Sequence, residues 1–372
     1  MEEIIGYLML IEDRRQGWKV VHLLIDIVVI VLFATLANAD DWHEMEIFGQ
    51  ENLELLRKYV RLANGVPSHD TIQRVMSSIK PEVMEGVQKL WNEYTSRSEG
   101  EALKKVVSID GKTIRGNGNK NQEALHVVSA WSKDQGVCFG QKAADGKGNE
   151  IPLIKQLLDT LNVANQVVTI DAIGTQTEIA QMIKKGKGDY VLAVKGNQPN
   201  LLEDIKTYFD DESFIKQIQQ GPGYCCTIEK ARSQIERREY YQTDDVKWLA
   251  DRPRWKGLTS IGMSRSVCEK DGCKTTQTRY FISSLPVDSA LFSESVRGHW
   301  SVESMHWHLD VTFREDHNKT LDKTAALNLS IIRKWALSIL KLLNLGKQYS
   351  MKKKRFALNC GFAKYIEKLM TL

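Results

Sequence analysis

The order of apolar patterns between residues 106 and 209 is the feature that most constrains the fold. Three short runs of strand formers come first, and helix and strand patterns then alternate. In chain order the predicted elements are strands at 106–110, 125–131 and 136–141, a helix at 154–161, a strand at 167–170, a helix at 175–186, a strand at 190–194 and a helix at 201–209. Consecutive strands pair as hairpins, whereas alternating strands and helices are typical of parallel sheets covered by helices. The order therefore predicts an α/β protein with one mixed sheet and flanking helices.

The regions on either side have different patterns. Residues 1–100 have a helical spacing of apolar residues, and a polar stretch at 95–101 predicts a domain boundary. In residues 221–285 the apolar residues no longer have a helical spacing, and strand-forming residues are frequent. After Pro286, two segments again have the apolar spacing of helices. We therefore predict an all-helical N-terminal domain at 1–100, a main domain at 101–340 with a β-rich insertion at about 221–290, and a basic C-terminal tail at 341–372.

Charge is distributed unevenly along the chain. The 372 residues carry 51 Lys and Arg against 47 Asp and Glu, a net charge of +4 that is too small to indicate a nucleic-acid partner by itself. Residues 341–372, however, contain eight basic side chains and one acidic one, whereas the first sixty residues contain five basic and eleven acidic ones. A polyanion would therefore be attracted to the C-terminal end, where we predict backbone contacts from Lys352, Lys353, Lys354 and Arg355. A basic segment that only keeps the protein soluble is the alternative.

Other features of the sequence disfavour secreted and membrane proteins. Six cysteines without a CxxC pair do not resemble a disulfide framework or a zinc ribbon, and the N-terminus lacks the basic region of a signal peptide. The apolar stretch Val20–Ala39 is interrupted by His22 and Asp26, and its clean apolar run at 27–34 is too short to span a bilayer. We therefore predict a cytoplasmic protein with no membrane partner, in which this stretch is a buried helix. A membrane anchor is the weaker alternative.

Two predicted strands each end in an aspartate. Asp110 follows Ile109, and Asp171 follows Ile170. Open α/β sheets place their sites where strands leave the core, although a single acid at such a position is more often a turn or capping residue. Carboxylates that converge repel each other unless a cation neutralises them, and Mg²⁺ prefers one or two carboxylates together with substrate phosphates. The pair therefore predicts a magnesium site.

A third acid is available in the segment 297–310. On a helix, Glu303 shares one face with two tryptophans, a histidine and a second acid: Trp300, Trp307, His306 and Asp310. An amphipathic helix whose tryptophans pack inward is one alternative. Zinc bound by His299, His306 and His308 is another, but neither a cysteine nor an HExxH spacing supports it.

Four segments together resemble a known family. Residues 110–116 (DGKTIRG), 169–176 (TIDAIGTQ), 189–198 (DYVLAVKGNQ) and 299–316 occur in the order found in insertion-sequence DDE transposases, and they are most similar to the branch that includes the H-repeat-associated proteins. The helical segment 22–84 resembles the domain that accompanies the catalytic domain in that branch. The resemblance implies a ribonuclease-H-like fold in which the strands bearing Asp110 and Asp171 are neighbours and the helix bearing Glu303 packs over their ends.

The resemblance also implies an activity. Asp110, Asp171 and Glu303 would bind Mg²⁺, with Mn²⁺ as a substitute, and a two-metal mechanism would cleave DNA and join the freed 3′-hydroxyl to a target. The implied partner is double-stranded DNA, at the element ends and at the target, bound by a homodimer or higher oligomer. The candidate DNA contacts are Lys112, Arg115, Lys195, Arg297 and Trp300, in addition to the basic segment; Trp300 or Trp307 could stack on an unpaired base.

The sequence departs from the family near Glu303. Related transposases often have a Tyr-Arg-Glu-Lys signature around the glutamate, whereas this chain has histidine at 299, four residues before Glu303, and aspartate at 310, seven residues after it. Two alternatives therefore stay open: a metal-dependent nuclease that cuts without joining, and a silent DNA-binding remnant. The second alternative predicts that an Asp310→Lys variant gains cleavage.

Overall fold

Six helices precede the first strand in the described part of the chain. The structure, a computed structural model, describes residues 3–96, 105–231 and 234–370. The helices are α1 (Glu3–Leu8), α2 (Leu24–Leu36), α3 (Trp42–Glu51), α4 (Leu53–Leu56), α5 (His69–Ser78) and α6 (Pro81–Ser96). The predicted boundary at 95–101 runs into residues 97–104, which lie outside the described residues.

A mixed sheet of nine strands, counted over the described residues, forms the centre of the molecule. Its strands are β1 (Lys105–Thr113), β2 (Leu125–Ser132), β3 (Val137–Asp145), β4 (Gln166–Ile170), β5 (Asp189–Val194), β6 (Tyr224–Ala231), β7 (Gln234–Thr243), β8 (Ser260–Lys270) and β9 (Cys273–Ser283). The spatial order is β3-β2-β1-β4-β5-β9-β8-β7-β6. β1, β4 and β5 are parallel, and the other neighbouring pairs are antiparallel. The predicted mixed sheet is confirmed, and the strand-rich region after residue 221 extends this same sheet.

Helices cover both faces of the sheet. α7 (Glu150–Thr160), α8 (Thr177–Lys185), α9 (Pro199–Asp210) and α10 (Glu212–Gln219) pack on one face, around Val107 and Ile109 of β1. α11 (Ser289–Trp307) packs on the other face, where Val106 and Val167 contact its apolar residues. Because successive strand residues point to opposite faces, each strand contributes alternate side chains to the α11 side.

A second core joins the two ends of the chain. α12 (Lys323–Leu342), α13 (Met351–Cys360) and α14 (Phe362–Met370) share one apolar cluster with the N-terminal helices. The amphipathic spacing of Leu358, Phe362, Ile366 and Leu369 places their side chains in that cluster. Residues 341–370, which the sequence predicts to be a basic tail, therefore include helices that pack in this core.

The apolar stretch near the N-terminus forms α2. This helix has 13 residues, and all but one of them are buried in the helical core. The prediction of a buried helix is confirmed. Among the helices of the described residues, none is both long and apolar enough to cross a membrane.

Candidate active site

Asp110 and Asp171 lie side by side on neighbouring parallel strands. β1 and β4 pair in register up to the residue before each aspartate. Val106 of β1 and Val167 of β4 face α11, and the two-residue period of a strand places Asp110 and Asp171 on that same side. The sheet therefore aims both carboxylates at α11.

Polar contacts fix α11 across the ends of these strands. The Ser108 hydroxyl donates to the carbonyl oxygen of Gly298 at 3.0 Å, and the Thr169 hydroxyl donates to Ser108 Oγ at 3.0 Å. His299 Nδ1 lies 3.3 Å from Thr169 Oγ1. A Cβ atom on Gly298 would lie 3.0 Å from a methyl carbon of Val106, so glycine permits this close approach of helix to strand.

Glu303 lies one helical turn after His299 and completes a group that we call the acidic trio: Asp110, Asp171 and Glu303. The three side chains line one cavity of about 400 Å³ between the sheet and α11. Lys195, Arg279 and Trp300 line the same cavity. The structure thus brings the three predicted carboxylates to the wall of one cavity.

The two aspartates have opposite pKa shifts. Burial alone would raise the pKa of Asp110, but the hydrogen bond from His306 and the positive charges of His306 and His299 leave it below its usual value. The pKa of Asp171 is raised by burial and by the negative charge of Asp110, although the backbone NH of Gly174 donates to its carboxylate. Burial lowers the pKa of His299.

The acidic trio fits a divalent cation. Among the described residues, none of its three carboxylates forms a salt bridge with Lys or Arg, and Glu303 makes no hydrogen bond. Carboxylate oxygens are ligands that Mg²⁺ takes, together with substrate phosphates. Their oxygens are not gathered within 4.8 Å of one another in the described structure, so the trio is an open set of donors.

Lys112, which the sequence predicts to contact phosphate, is held in a second group of acids. Its Nζ lies 2.8 Å from Asp310, 3.2 Å from Glu315 and 3.0 Å from Asp316, and the side chain is 9% exposed. Burial would lower the pKa of Lys112, but the negative charges of Glu315 and Asp310 raise it well above its usual value. We call Lys112, Asp310, Glu315 and Asp316 the Lys112 cluster.

The other single residues predicted to bind DNA lie in three different places. Lys195 is exposed at the cavity of the acidic trio. Arg115 lies outside that cavity, with its side chain 84% exposed and its Nε 3.6 Å from Asp316. Arg297 lies on α11 and forms an ion pair with Glu229 at 3.4 Å.

Trp300 contacts three arginines at the edge of the cavity. Its ring centroid lies 5.1 Å from the guanidinium carbon of Arg279, 5.4 Å from that of Arg297 and 5.8 Å from that of Arg238. Because each guanidinium lies within cation–π range, the tryptophan is a fixed part of this wall.

Two of the four basic residues at 352–355, which the sequence predicts to contact DNA, make contacts inside the protein. Arg355 is fully buried and donates to the carbonyl oxygens of Thr35 and Ala39 at the end of α2, and it pairs with Asp40 at 3.0 Å. Lys354 donates to two carbonyl oxygens at the end of α12. Only Lys352 and Lys353 of this group have exposed side chains. The expectation for Arg355 and Lys354 is therefore corrected, because helix ends need these cations as hydrogen-bond donors.

The three histidines of the zinc alternative do not converge among the described residues. His306 Nδ1 lies 3.4 Å from Asp110, on the side of the acidic trio. His308 contacts Thr312 and lines a different cavity with Lys341. Trp307 is 56% exposed and its ring packs against His308. The geometry thus disfavours zinc binding by this segment.

Sequence reasoning missed Arg279. This residue lies on β9 and lines the cavity of the acidic trio, and among the described residues it forms no ion pair with Asp or Glu. Its neighbour Arg238 is buried, with ion pairs to Glu229 and Glu236. A strand pattern shows neither which face an arginine occupies nor which strand lies beside it, so the sequence held no signal for this contact.

Comparisons with known proteins give matches over both parts of the chain. The family model described as "Transposase DDE domain" matches residues 101–339, and the one described as "DDE_Tnp_1-associated" matches residues 5–92. The "Putative transposase YncI" of Escherichia coli O157:H7 is 37% identical over 379 residues, covering 100% of this chain and 95% of that protein. The "H repeat-associated putative transposase YhhI" of Escherichia coli K12 is 34% identical over 365 residues, covering 95% of each.

Among solved structures, the piggyBac transposase synaptic complex with hairpin DNA is similar with a TM-score of 0.44 and 13% identity, covering 99% of this chain and 79% of that one. The family assignment rests on the sequence matches, which span both parts of the chain. The chain belongs to the DDE transposase family, in the group that includes the H repeat-associated proteins.

Proposed function

We propose that this protein is an insertion-sequence transposase that cleaves DNA at the ends of its element and joins those ends to a target. The observation that carries the proposal is the acidic trio, which lines one cavity between the sheet and α11 without a Lys or Arg partner among the described residues. Family membership supplies the reaction class, and the trio supplies the carboxylates that would hold its metal ions.

The strand order supports a ribonuclease-H-like fold for the central unit. Three antiparallel strands, β3-β2-β1, continue into the parallel strands β4 and β5, and the two aspartates stand on the adjacent parallel strands β1 and β4. We propose that the strands from residue 224 to 283 are an insertion in this fold, and that they supply Arg279 to the site.

Asp110, Asp171 and Glu303 would hold Mg²⁺, or Mn²⁺ as a substitute. A pair of such ions lowers the pKa of an attacking water or 3′-hydroxyl and stabilises the leaving oxygen of a phosphodiester. The protein itself positions the carboxylates: β1 and β4 fix the two aspartates, and the contact of Ser108 with Gly298 fixes the helix that carries Glu303.

Basic and aromatic groups at the cavity would bind the DNA. Lys195 and Arg279 lie where phosphates would approach the acidic trio, and Trp300 offers a ring on which an unpaired base can stack. Arg115, Lys352 and Lys353 have exposed cationic side chains for contacts to the DNA backbone. We propose a homodimer or higher oligomer on paired element ends.

Strand cleavage and joining test this proposal directly. The substrate is a plasmid that carries the gene with its native flanking DNA, and the products are nicked and joined strands formed in Mg²⁺. We expect Asp110→Asn, Asp171→Asn and Glu303→Gln to abolish both products while the fold and most DNA affinity persist, because these acids hold metal and the basic groups hold phosphate. Glu294→Gln, an exposed acid on the same helix, is the matched control and should keep activity.

The outcomes separate the alternatives. Cleavage without joined strands would identify a nuclease, and DNA binding without cleavage would identify a silent remnant. Near-normal cleavage by any one variant of the trio would remove that residue from the metal site. Anomalous scattering from Mn²⁺ in a crystal is an independent readout, and we expect a peak at the three carboxylates.

A further inference from the structure

Three potential metal ligands lie together on the helical core, on elements that do not contribute to the acidic trio. The ligand atoms of His43, Glu46 and His69 all lie within 4.8 Å of one another, and no other such group occurs among the described residues. Neither the sequence patterns nor the family match assigns a role to these residues.

Two ordered helices carry the three ligands. His43 and Glu46 are three residues apart in α3, so they lie on one face of that helix. Asp41 caps α3, and the Trp42 indole NH donates to Thr320 at 2.7 Å, which holds the start of the helix in place. His69 is the first residue of α5, which Ser68 caps.

Glu46 and His69 are already in contact. Glu46 Oε2 lies 2.7 Å from His69 Nδ1 and accepts from the backbone NH of His69 at 2.8 Å. An ion pair between α3 and α5 would explain these two residues. It does not explain His43, whose side chain makes no hydrogen bond in the described structure and whose ring packs edge-on against that of His69 at 5.1 Å between centroids.

The surroundings of the group are negative. Asp70 Oδ1 lies 3.6 Å from His69 Nε2, and Asp41 stands at the start of the helix that carries His43 and Glu46. The negative charge of these acids attracts a cation to the group of His43, Glu46 and His69.

We propose that His43, Glu46 and His69 form a site for a zinc-class divalent cation that fastens α3 to the start of α5. Two imidazole nitrogens and one carboxylate oxygen are a donor set that zinc accepts, with a water in the fourth position. Tetrahedral bonds of about 2.0–2.1 Å place donor atoms about 3.3 Å apart, so atoms already within 4.8 Å need only small side-chain movements. Because the segment between Asn52 and Ser68 links the two helices, the metal would close that loop.

Metal titration of the full chain tests the proposal. The parent for these measurements is the Asp110→Asn/Glu303→Gln double variant, so that metal at the acidic trio does not contribute. We expect one equivalent of Zn²⁺ by calorimetry, a tetrahedral visible spectrum with Co²⁺, and a higher thermal midpoint with Zn²⁺. Since even an outer partner of a metal ligand is worth about 10–100-fold in affinity, His43→Ala and His69→Ala should each weaken binding at least about a hundredfold.

Controls keep the result unambiguous. His317→Ala removes an exposed histidine outside the group and should leave the affinity unchanged. His43→Ala removes an exposed side chain without hydrogen bonds, so its circular dichroism should match the parent and its loss of binding should not reflect unfolding. The proposal fails if Zn²⁺ binds equally well to the parent and to His43→Ala, or if the parent takes up no metal. Neither result depends on transposition, so failure here leaves the proposed function standing.

Discussion

The acidic trio and the Lys112 cluster each have one member on β1 and one on or just after α11, and they differ in their cations. The acidic trio has no Lys or Arg partner among the described residues, whereas the Lys112 cluster surrounds an ammonium group and Glu315 also lies 3.7 Å from Arg333. Asp110 and Lys112 are both on β1, about 7 Å apart by the rise of a strand and on the same face. Asp310 follows Glu303 by two helical turns.

This difference in cationic partners indicates a different role for each group. Removing the cation beside a buried acid leaves a poorly compensated charge in the core, which destabilises the fold. An acid kept without a cation costs free energy, because burial and the neighbouring carboxylate disfavour its charged form, as the raised pKa of Asp171 indicates. The Lys112 cluster therefore has the properties of a structural element, and the acidic trio has those of a binding site.

The Lys112→Met variant should give the largest change in stability. Loss of the ammonium leaves Glu315 buried with two half-buried acids, and we expect the free energy of unfolding to fall by about 3–5 kcal/mol. Urea unfolding followed by circular dichroism measures this. The matched variant is Asp171→Asn, which keeps the oxygen that accepts from the backbone and removes a disfavoured charge. It should lose no stability; an equal loss in both variants would erase the distinction between the two groups.

Acid should weaken the Lys112 cluster in a defined range of pH. Burial would raise the pKa of Glu315, but the charges of Lys112 and Arg333 lower it to about 2 from its usual 4.5. A carboxyl group whose pKa is lowered by folding stabilises the fold fully at a pH above its pKa in the unfolded chain. This stabilisation is lost as the pH falls through its pKa in the folded protein. The stability difference between the parent and Glu315→Gln should therefore shrink by on the order of 3 kcal/mol between about pH 4.5 and 2. Urea unfolding at several pH values checks this, and a constant difference would contradict it.

The Asp310→Lys variant sharpens the comparison by adding a cation to the Lys112 cluster. Asp310 is partly exposed and lies 2.8 Å from Lys112, so we expect a loss of roughly 1–2 kcal/mol from the lost ion pair and the new repulsion. Asp310→Asn, which removes the ion pair without the repulsion, should lose less. Cleavage should not increase, because residue 310 faces Lys112 and not the acidic trio. A variant that gained cleavage at unchanged stability would favour the silent-remnant alternative.

The sequence predicted the parts of the molecule that depend on periodicity along the chain. The mixed sheet and the buried α2 follow from the spacing of apolar residues. The motif resemblance brought Asp110, Asp171 and Glu303 together as one site, and the structure places all three on one cavity.

The partners of charged residues could not be predicted, because they come from distant segments. Lys112 and Arg355 were interpreted as DNA contacts from their charge, yet their partners lie about two hundred and three hundred residues away in the sequence. Arg279 was missed for the same reason, since only the pairing of β5 with β9 brings its strand to the acidic trio. A charge in a sequence does not show whether another segment neutralises it.

The arginines around Trp300 also differ in whether a group of opposite charge pairs with them. Here we expect the smallest effect of the four predictions. Arg279 has no acidic partner among the described residues, whereas Arg297 pairs with Glu229. If an unpaired guanidinium binds phosphate, Arg279→Ala should weaken DNA binding about tenfold, which is about 1.4 kcal/mol, and should reduce the salt dependence by about one phosphate contact. Arg297→Ala should change the affinity and its salt dependence less, because Glu229 already neutralises part of the charge of Arg297. Fluorescence anisotropy with labelled DNA at several salt concentrations measures both quantities. A larger loss with Arg297→Ala would mean that ion pairing inside the protein does not determine which arginines reach the DNA.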